Sequence, residues 1–371
     1  MRFLLRSGLV LGLLTAACGE DSPTPTDFED PAAITANLDA VDSAFDTPVF
    51  ASFNAATFYI NPTASATQPV GALIRGANPA LERVGATVFL QGARQSQEVQ
   101  AMVPQLSAAA AQGQLIPDSL YGRVFEWDAT LDEYTYQDSS VAGLNGVRYI
   151  LYAVGLDGNV VEPVSSIGTL DIIDNSTTSA LELQLLVKGP AGTPTYIDYA
   201  IGFSSSATSA TANVSGFVSN GLSAGDNKTL TFDETFIVNQ AGARVTATFT
   251  LNNPAITVML IQAVTFDDPN IIITADFRII EGGETVRTLA RLTLDTFDSS
   301  ITVNIVVTVD GHPVASLSGD PTDPGTVWVD AGGEPLTVAD LAALDGLFDA
   351  LELFGLIVSN LFSPITAFAA L

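Results

Sequence analysis

Covalent catalysis by a serine or cysteine needs a base held beside the nucleophile, and this chain of 371 residues contains one histidine and one cysteine. His312 lies in the turn sequence "DGHPV", far from Cys18, and no G-x-S-x-G elbow or G-x-x-x-x-G-K-[ST] phosphate loop occurs. The same shortage leaves zinc and haem without a ligand set. Carboxylates are plentiful instead, with 41 Asp and Glu. In "RVFEWDATLDEYTYQD" the acids Glu126, Asp128, Asp132 and Glu133 share a hairpin pattern with Trp127, Tyr134 and Tyr136. Paired acids can cleave a glycosidic bond, and the three aromatics could bind a sugar or another ring. The plainer alternative is cross-strand packing with a wet acidic edge. A second cluster, "SGDPTDPGTVWVDAGGEP", brings Asp320, Asp323, Asp330 and Glu334 together. Calcium takes several such oxygens, yet the spacing departs from the D-x-[DN]-x-[DN]-G loop, which favours a solvated acidic turn. No catalytic residue is assigned, and calcium at Asp320, Asp323 and Asp330 is the only cofactor these residues suggest.

The cysteine closes a three-part segment: Arg2 and Arg6, an apolar run from Ser7 to Leu14, then Thr15, Ala16 and Ala17 before Cys18. That is the plan of an export signal, and the run is too short for a membrane-spanning helix of about 20 residues. Small residues before a cysteine resemble the lipobox of bacterial lipoprotein precursors, although Leu14 sits four places before Cys18 rather than three. The resemblance implies cleavage before Cys18, acylation of its thiol and amino group, and a membrane partner reached through the lipid. Gly19 and Glu20 follow, not the aspartate of inner-membrane retention, which points to the outer membrane of a bacterial envelope. "GEDSPTPTDFED" then reads as an extended, self-repelling tether.

Formal net charge is −28, and loss of Arg2 and Arg6 with the signal would make the chain more negative still. Such a polyanion is a poor nucleic-acid partner, which excludes that class of function. Mean hydropathy is nevertheless +0.35, so a sizeable core is available.

The elements that must position these residues divide the chain into a signal (1–17), a linker (18–29), a helical region (30–120), an antiparallel β domain (121–335) and a helical C-terminal segment (336–371). Asp30-Pro31 starts a helix with Ile34, Leu38, Val41 and Phe45 on one face, and Thr47-Pro48 starts another before Val49, Phe50 and Phe53. Ser96 to Ala111 carries Val99, Met102, Val103 and Leu106 at helical spacing and stops at Gly113. From Tyr121 onward, segments of 8 to 12 residues rich in Val, Ile, Thr and Phe alternate with short turns that leave no room for crossover helices. "AITVMLIQAVTF" and "IIITADFRII" are apolar on both faces, so a cover on both sides is expected for the central strands. Thr337 with Asp340 caps a last helix whose face carries Leu341, Leu344, Phe348, Leu351, Phe354 and Val358. Its end, Leu353 to Leu371, holds no charge and reads as a buried or groove-filling helix.

The expected fold class is mostly β: a large antiparallel meander sheet, curved, half-barrel or sandwich, with N-terminal helices and a C-terminal apolar helix. That outline is similar, in architecture alone, to periplasmic half-barrels that carry lipids or lipoproteins. The similarity implies a non-enzymatic binding module for an apolar ligand. The alternatives are a structural or adhesive surface lipoprotein without a small ligand, a carbohydrate-active enzyme using Glu126 or Asp128, and a transmembrane β-barrel.

Overall fold

The computed structural model describes residues 47–49, 51–53, 56, 79–90, 112–155, 159–206, 208–223 and 225–369, with Gln137, Leu353 and 355–369 described by backbone alone. Fourteen strands follow one another: β1 (Arg123–Asp128), β2 (Glu133–Ser140), β3 (Gly146–Tyr152), β4 (Ser166–Asp174), β5 (Leu181–Lys188), β6 (Thr195–Ser205), β7 (Ser209–Ser219), β8 (Thr229–Asn239), β9 (Gly242–Asn252), β10 (Ala255–Asp267), β11 (Asn270–Glu281), β12 (Glu284–Asp295), β13 (Ile301–Val309) and β14 (His312–Gly319). All belong to one sheet, in which β3 to β14 form an uninterrupted antiparallel meander. Only the β1–β2 hairpin departs from it: β1 lies parallel to β3 and puts β2 on the outer edge. β2 and β14 do not pair, so the sheet is open and the barrel alternative is not realised.

Short links between most of the later strands favour this topology. Between β11 and β12 the chain reverses at Gly282-Gly283 (φ +58° and +99°), and between β13 and β14 at Asp310-Gly311 (φ +49° and +84°). Positive φ at both central residues gives the turn twist that matches the flanking strands.

One face of the sheet is buried with strict alternation. Leu183 and Leu185 on β5, Ile197 and Ile201 on β6, Phe249 on β9, Ile273 and Phe277 on β11, and Val303, Ile305 and Val307 on β13 are all sealed from solvent. The other face of the doubly apolar strands, including Met259, Ile261, Ile272 and Ile280, is only half-buried. The expected cover on both sides is therefore corrected: among the described residues no second layer lies on this face, and neighbours on adjacent strands, about 5 Å away, shield these side chains laterally.

The cover of the buried face is α1 (Val338–Ala369), with residues 79–90 beside it. Thr337 caps the helix as the spacing predicts: the Asp340 amide donates to Thr337 Oγ1 at 3.3 Å, and the Thr337 amide and hydroxyl donate to Asp340 Oδ2 at 3.2 and 2.5 Å. Phe354 meets Phe249 and Phe277, with ring centroids at 4.9 and 6.4 Å. Phe348 meets Phe89 and Trp328 at 5.5 and 5.7 Å. Fourteen strands span roughly 60 Å, whereas a helix is about 10 Å across. α1 is thus only part of the cover, and Val49, Phe53, Leu115 and Ile116 join the same buried cluster.

Among the N-terminal helices, the one beginning at Pro48 is present where described, with the Ala51 amide donating to Thr47 O at 3.0 Å. The helices read from Asp30 and over 96–111, like Cys18, lie outside the described residues. Gly113 follows helical Gln112 at φ +73°, a stop conformation open to glycine. Residues 79–83, where no period is visible in the sequence, are also helical and lead into a 3₁₀ turn, Thr87–Leu90. Among the described residues no helix is long and apolar enough to cross a membrane.

Candidate functional site

Alternation on β8 aims Leu230, Phe232, Glu234, Phe236 and Val238 at the buried side. Glu234 is the one acid in that series. It lies across from Val214 on β7 and Ala247 on β9, and is 1% exposed. Neither carboxyl oxygen has a hydrogen-bond partner among the described residues. Burial alone drives its pKa well above the ordinary carboxylate value, which favours the protonated, neutral form. A neutral carboxyl offers one donor and an acceptor.

Thr288 and Gln262 are further polar side chains on this face. Thr288 on β12 is fully buried, and its hydroxyl lacks a partner among the described residues. Gln262 on β10 is satisfied, because its Nε2 donates to Phe89 O at 2.9 Å and so pins the 3₁₀ turn to the sheet. Trp328 does the same for the preceding helical turn, donating from Nε1 to Val84 O at 3.0 Å. Around them runs a file of aromatic contacts from Tyr199 to Phe232, Phe249, Phe354 and Phe277. The interior is thus an apolar trough with an unpaired acid in its wall and a helix laid along it. Chemically, the Glu234 carboxyl is the group there with hydrogen-bonding capacity left unused on both oxygens.

The hairpin residues Trp127, Tyr134 and Tyr136 do come together, on the edge formed by β1 and β2. Trp127 pairs with Tyr134, and Phe125 with Tyr136. Tyr149 of β3 stacks on Phe125 with centroids 4.7 Å apart and meets Tyr134 edge-on at 5.4 Å. The Tyr134 hydroxyl donates to Ile150 O at 3.1 Å, while Tyr136 stays 58% exposed under the Arg123 guanidinium. Asp128 is a turn residue: its Oδ1 accepts the Thr130 amide at 2.8 Å. Glu126 lies on the strand face opposite Trp127 and raises the Tyr152 pKa, after the larger effect of burial.

Three acids of the second cluster, Asp320, Asp323 and Asp330, each serve their own turn. Asp320 Oδ1 accepts the Thr322 amide, Asp323 Oδ1 the Gly325 amide, and Asp330 Oδ1 the amides of Gly332 and Glu334. Arg83 reaches into the same loop and donates to the carbonyls of Pro321, Asp323 and Thr326. No group of three His, Cys, Asp or Glu suited to a metal occurs among the described residues. His312 is exposed at the start of β14.

Comparison with known proteins adds no assignment. No protein-family model, curated protein or solved structure matches the chain. Glu234 is the residue that reading by motif misses. The signal was present in "TLTFDETFIV", where every second residue is apolar except Glu234.

Proposed function

We propose that the protein is a bacterial envelope lipoprotein, anchored to the outer membrane through acylated Cys18, that binds an apolar ligand against the inner face of its sheet. The observation that carries this reading is the unpartnered Glu234 carboxyl on the buried, apolar face of β8. An unsatisfied buried polar group costs about 1–3 kcal/mol, and such costs persist where a site uses them. The neutral acid would pair with the polar end of a fatty acid, sterol or similar molecule whose body replaces part of α1. The acidic Pro- and Thr-rich segment from Gly19 gives the anchored domain reach, and its charge keeps the surface off anionic headgroups.

Phe354 supports a second reading, a structural or adhesive lipoprotein, because its ring is fully buried between Phe249 and Phe277 and leaves α1 well seated. Uptake of a fluorescent fatty acid by the Cys18→Ser protein separates the two. The carrier reading expects saturable binding that Glu234→Leu weakens by about tenfold, equivalent to one good hydrogen bond. Absence of uptake leaves the structural reading. Labelling with radioactive palmitate tests the anchor: the wild type takes up label and Cys18→Ser does not.

A further inference from the structure

On the outer face, away from α1, the chain does something unusual for so acidic a molecule: it sets two arginines directly opposite one another. Arg278 of β11 and Arg287 of β12 are cross-strand partners. Like charges in that position repel, and Asp276 compensates for both. Arg278 donates from Nε and Nη2 to its two oxygens at 3.0 and 2.7 Å, and Arg287 does the same at 2.8 and 2.8 Å. The trio keeps a net positive charge, and both arginine side chains remain about one-third exposed, at 34% and 36%. Arg291 stands four residues further along, on the same face of β12.

A groove of about 440 Å³ opens over this pair, lined by Arg278, Arg287, Thr285, Leu289, Thr308 and Asp310 with Gly311. Its size falls in the range of small-ligand sites, about 300–1,000 Å³. Each guanidinium uses two donors on Asp276 and keeps the rest of its fork for a ligand. Two forks fixed side by side, roughly 5 Å apart at their Cβ atoms, offer more donors than the two oxygens of a carboxylate can accept. A tetrahedral phosphate suits them better. Asp310 tempers the charge at the rim and is itself held, its Oδ1 accepting the Thr285 amide at 2.8 Å. Distant acids weigh little at physiological salt, where the Debye length is about 8 Å.

We propose that the Arg278–Arg287 groove is a binding site for a phosphate group, carried by a soluble small molecule or by a lipid headgroup. The site is independent of the apolar trough. Calorimetric titration of the full Cys18→Ser chain with inorganic phosphate at low ionic strength should give saturable binding. Arg278→Gln and Arg287→Gln should each weaken it at least about tenfold. Thr308→Trp, which fills the groove and leaves the ionic trio in place, should abolish it, while Arg244→Gln, on β9, should change it less than about twofold. Glucose 6-phosphate binding without flotation on phosphatidic acid vesicles would assign the phosphate to a soluble compound. Flotation that Arg287→Gln removes would assign it to a lipid. No saturable binding, wild-type binding by the Arg278, Arg287 and Thr308 variants, or equal weakening by Arg244→Gln would overturn the site.

Discussion

Glu234 sets a pH dependence whose sign can be worked out. Its folded pKa is raised, so the native state holds a proton that the unfolded chain releases above about pH 4.3. The penalty is absent below that pH and grows as pH rises towards the folded value. Glu234→Leu should therefore raise stability by at least about 1 kcal/mol at pH 8 and much less at pH 4, read as the difference between urea midpoints of variant and wild type at each pH. Asp174 is the opposite kind of buried acid. Its Oδ2 accepts the Leu115 and Ile116 amides at 2.7 and 2.8 Å, tying the chain ahead of β1 to the end of β4. Asp174→Ala leaves two buried donors unpaired and should cost about 3 kcal/mol in a denaturant titration.

At the scale of elements, α1 and the sheet depend on each other. Removing the Phe354 ring opens a cavity between β9 and β11, and Phe354→Ala should lose about 3–5 kcal/mol of stability. Thr337→Ala breaks the cap and should cost about 1 kcal/mol, with both losses measurable by thermal melting. The strands were legible because alternation and turn residues agree: Val245, Ala247, Phe249 and Leu251 face inward as their spacing requires. The Thr337 cap was equally legible. Less visible was the departure of β1 from the meander, since a parallel neighbour for "RVFEWD" depends on pairing with β3 rather than on local pattern. The half-burial of Met259 and Ile261 was missed for a related reason: hydropathy does not distinguish a covering layer from lateral shielding by neighbouring strands. Arg278 and Arg287, placed symmetrically about Gly282-Gly283, were readable as cross-strand partners only once that turn was fixed.

For the whole molecule, an open fourteen-stranded sheet must protect two edges. On β14 the segment around Val329 does so, exchanging backbone bonds with Ser316 at 2.8 and 2.9 Å. On β2 the acids Glu133 and Asp138 discourage a further strand. Net charge of −28 keeps copies apart at the expense of self-repulsion. Raising salt from about 10 mM to about 0.15 M should lift the melting temperature by a few degrees, because the Debye length shrinks from about 30 to about 8 Å. The central claim, an apolar ligand in the trough beneath α1, is tested most directly by native mass spectrometry. The Cys18→Ser protein would be exported, purified without detergent, weighed intact and then extracted with organic solvent. A stoichiometric apolar molecule, released on extraction and absent from Glu234→Leu, is the result expected; a bare polypeptide mass would contradict the claim.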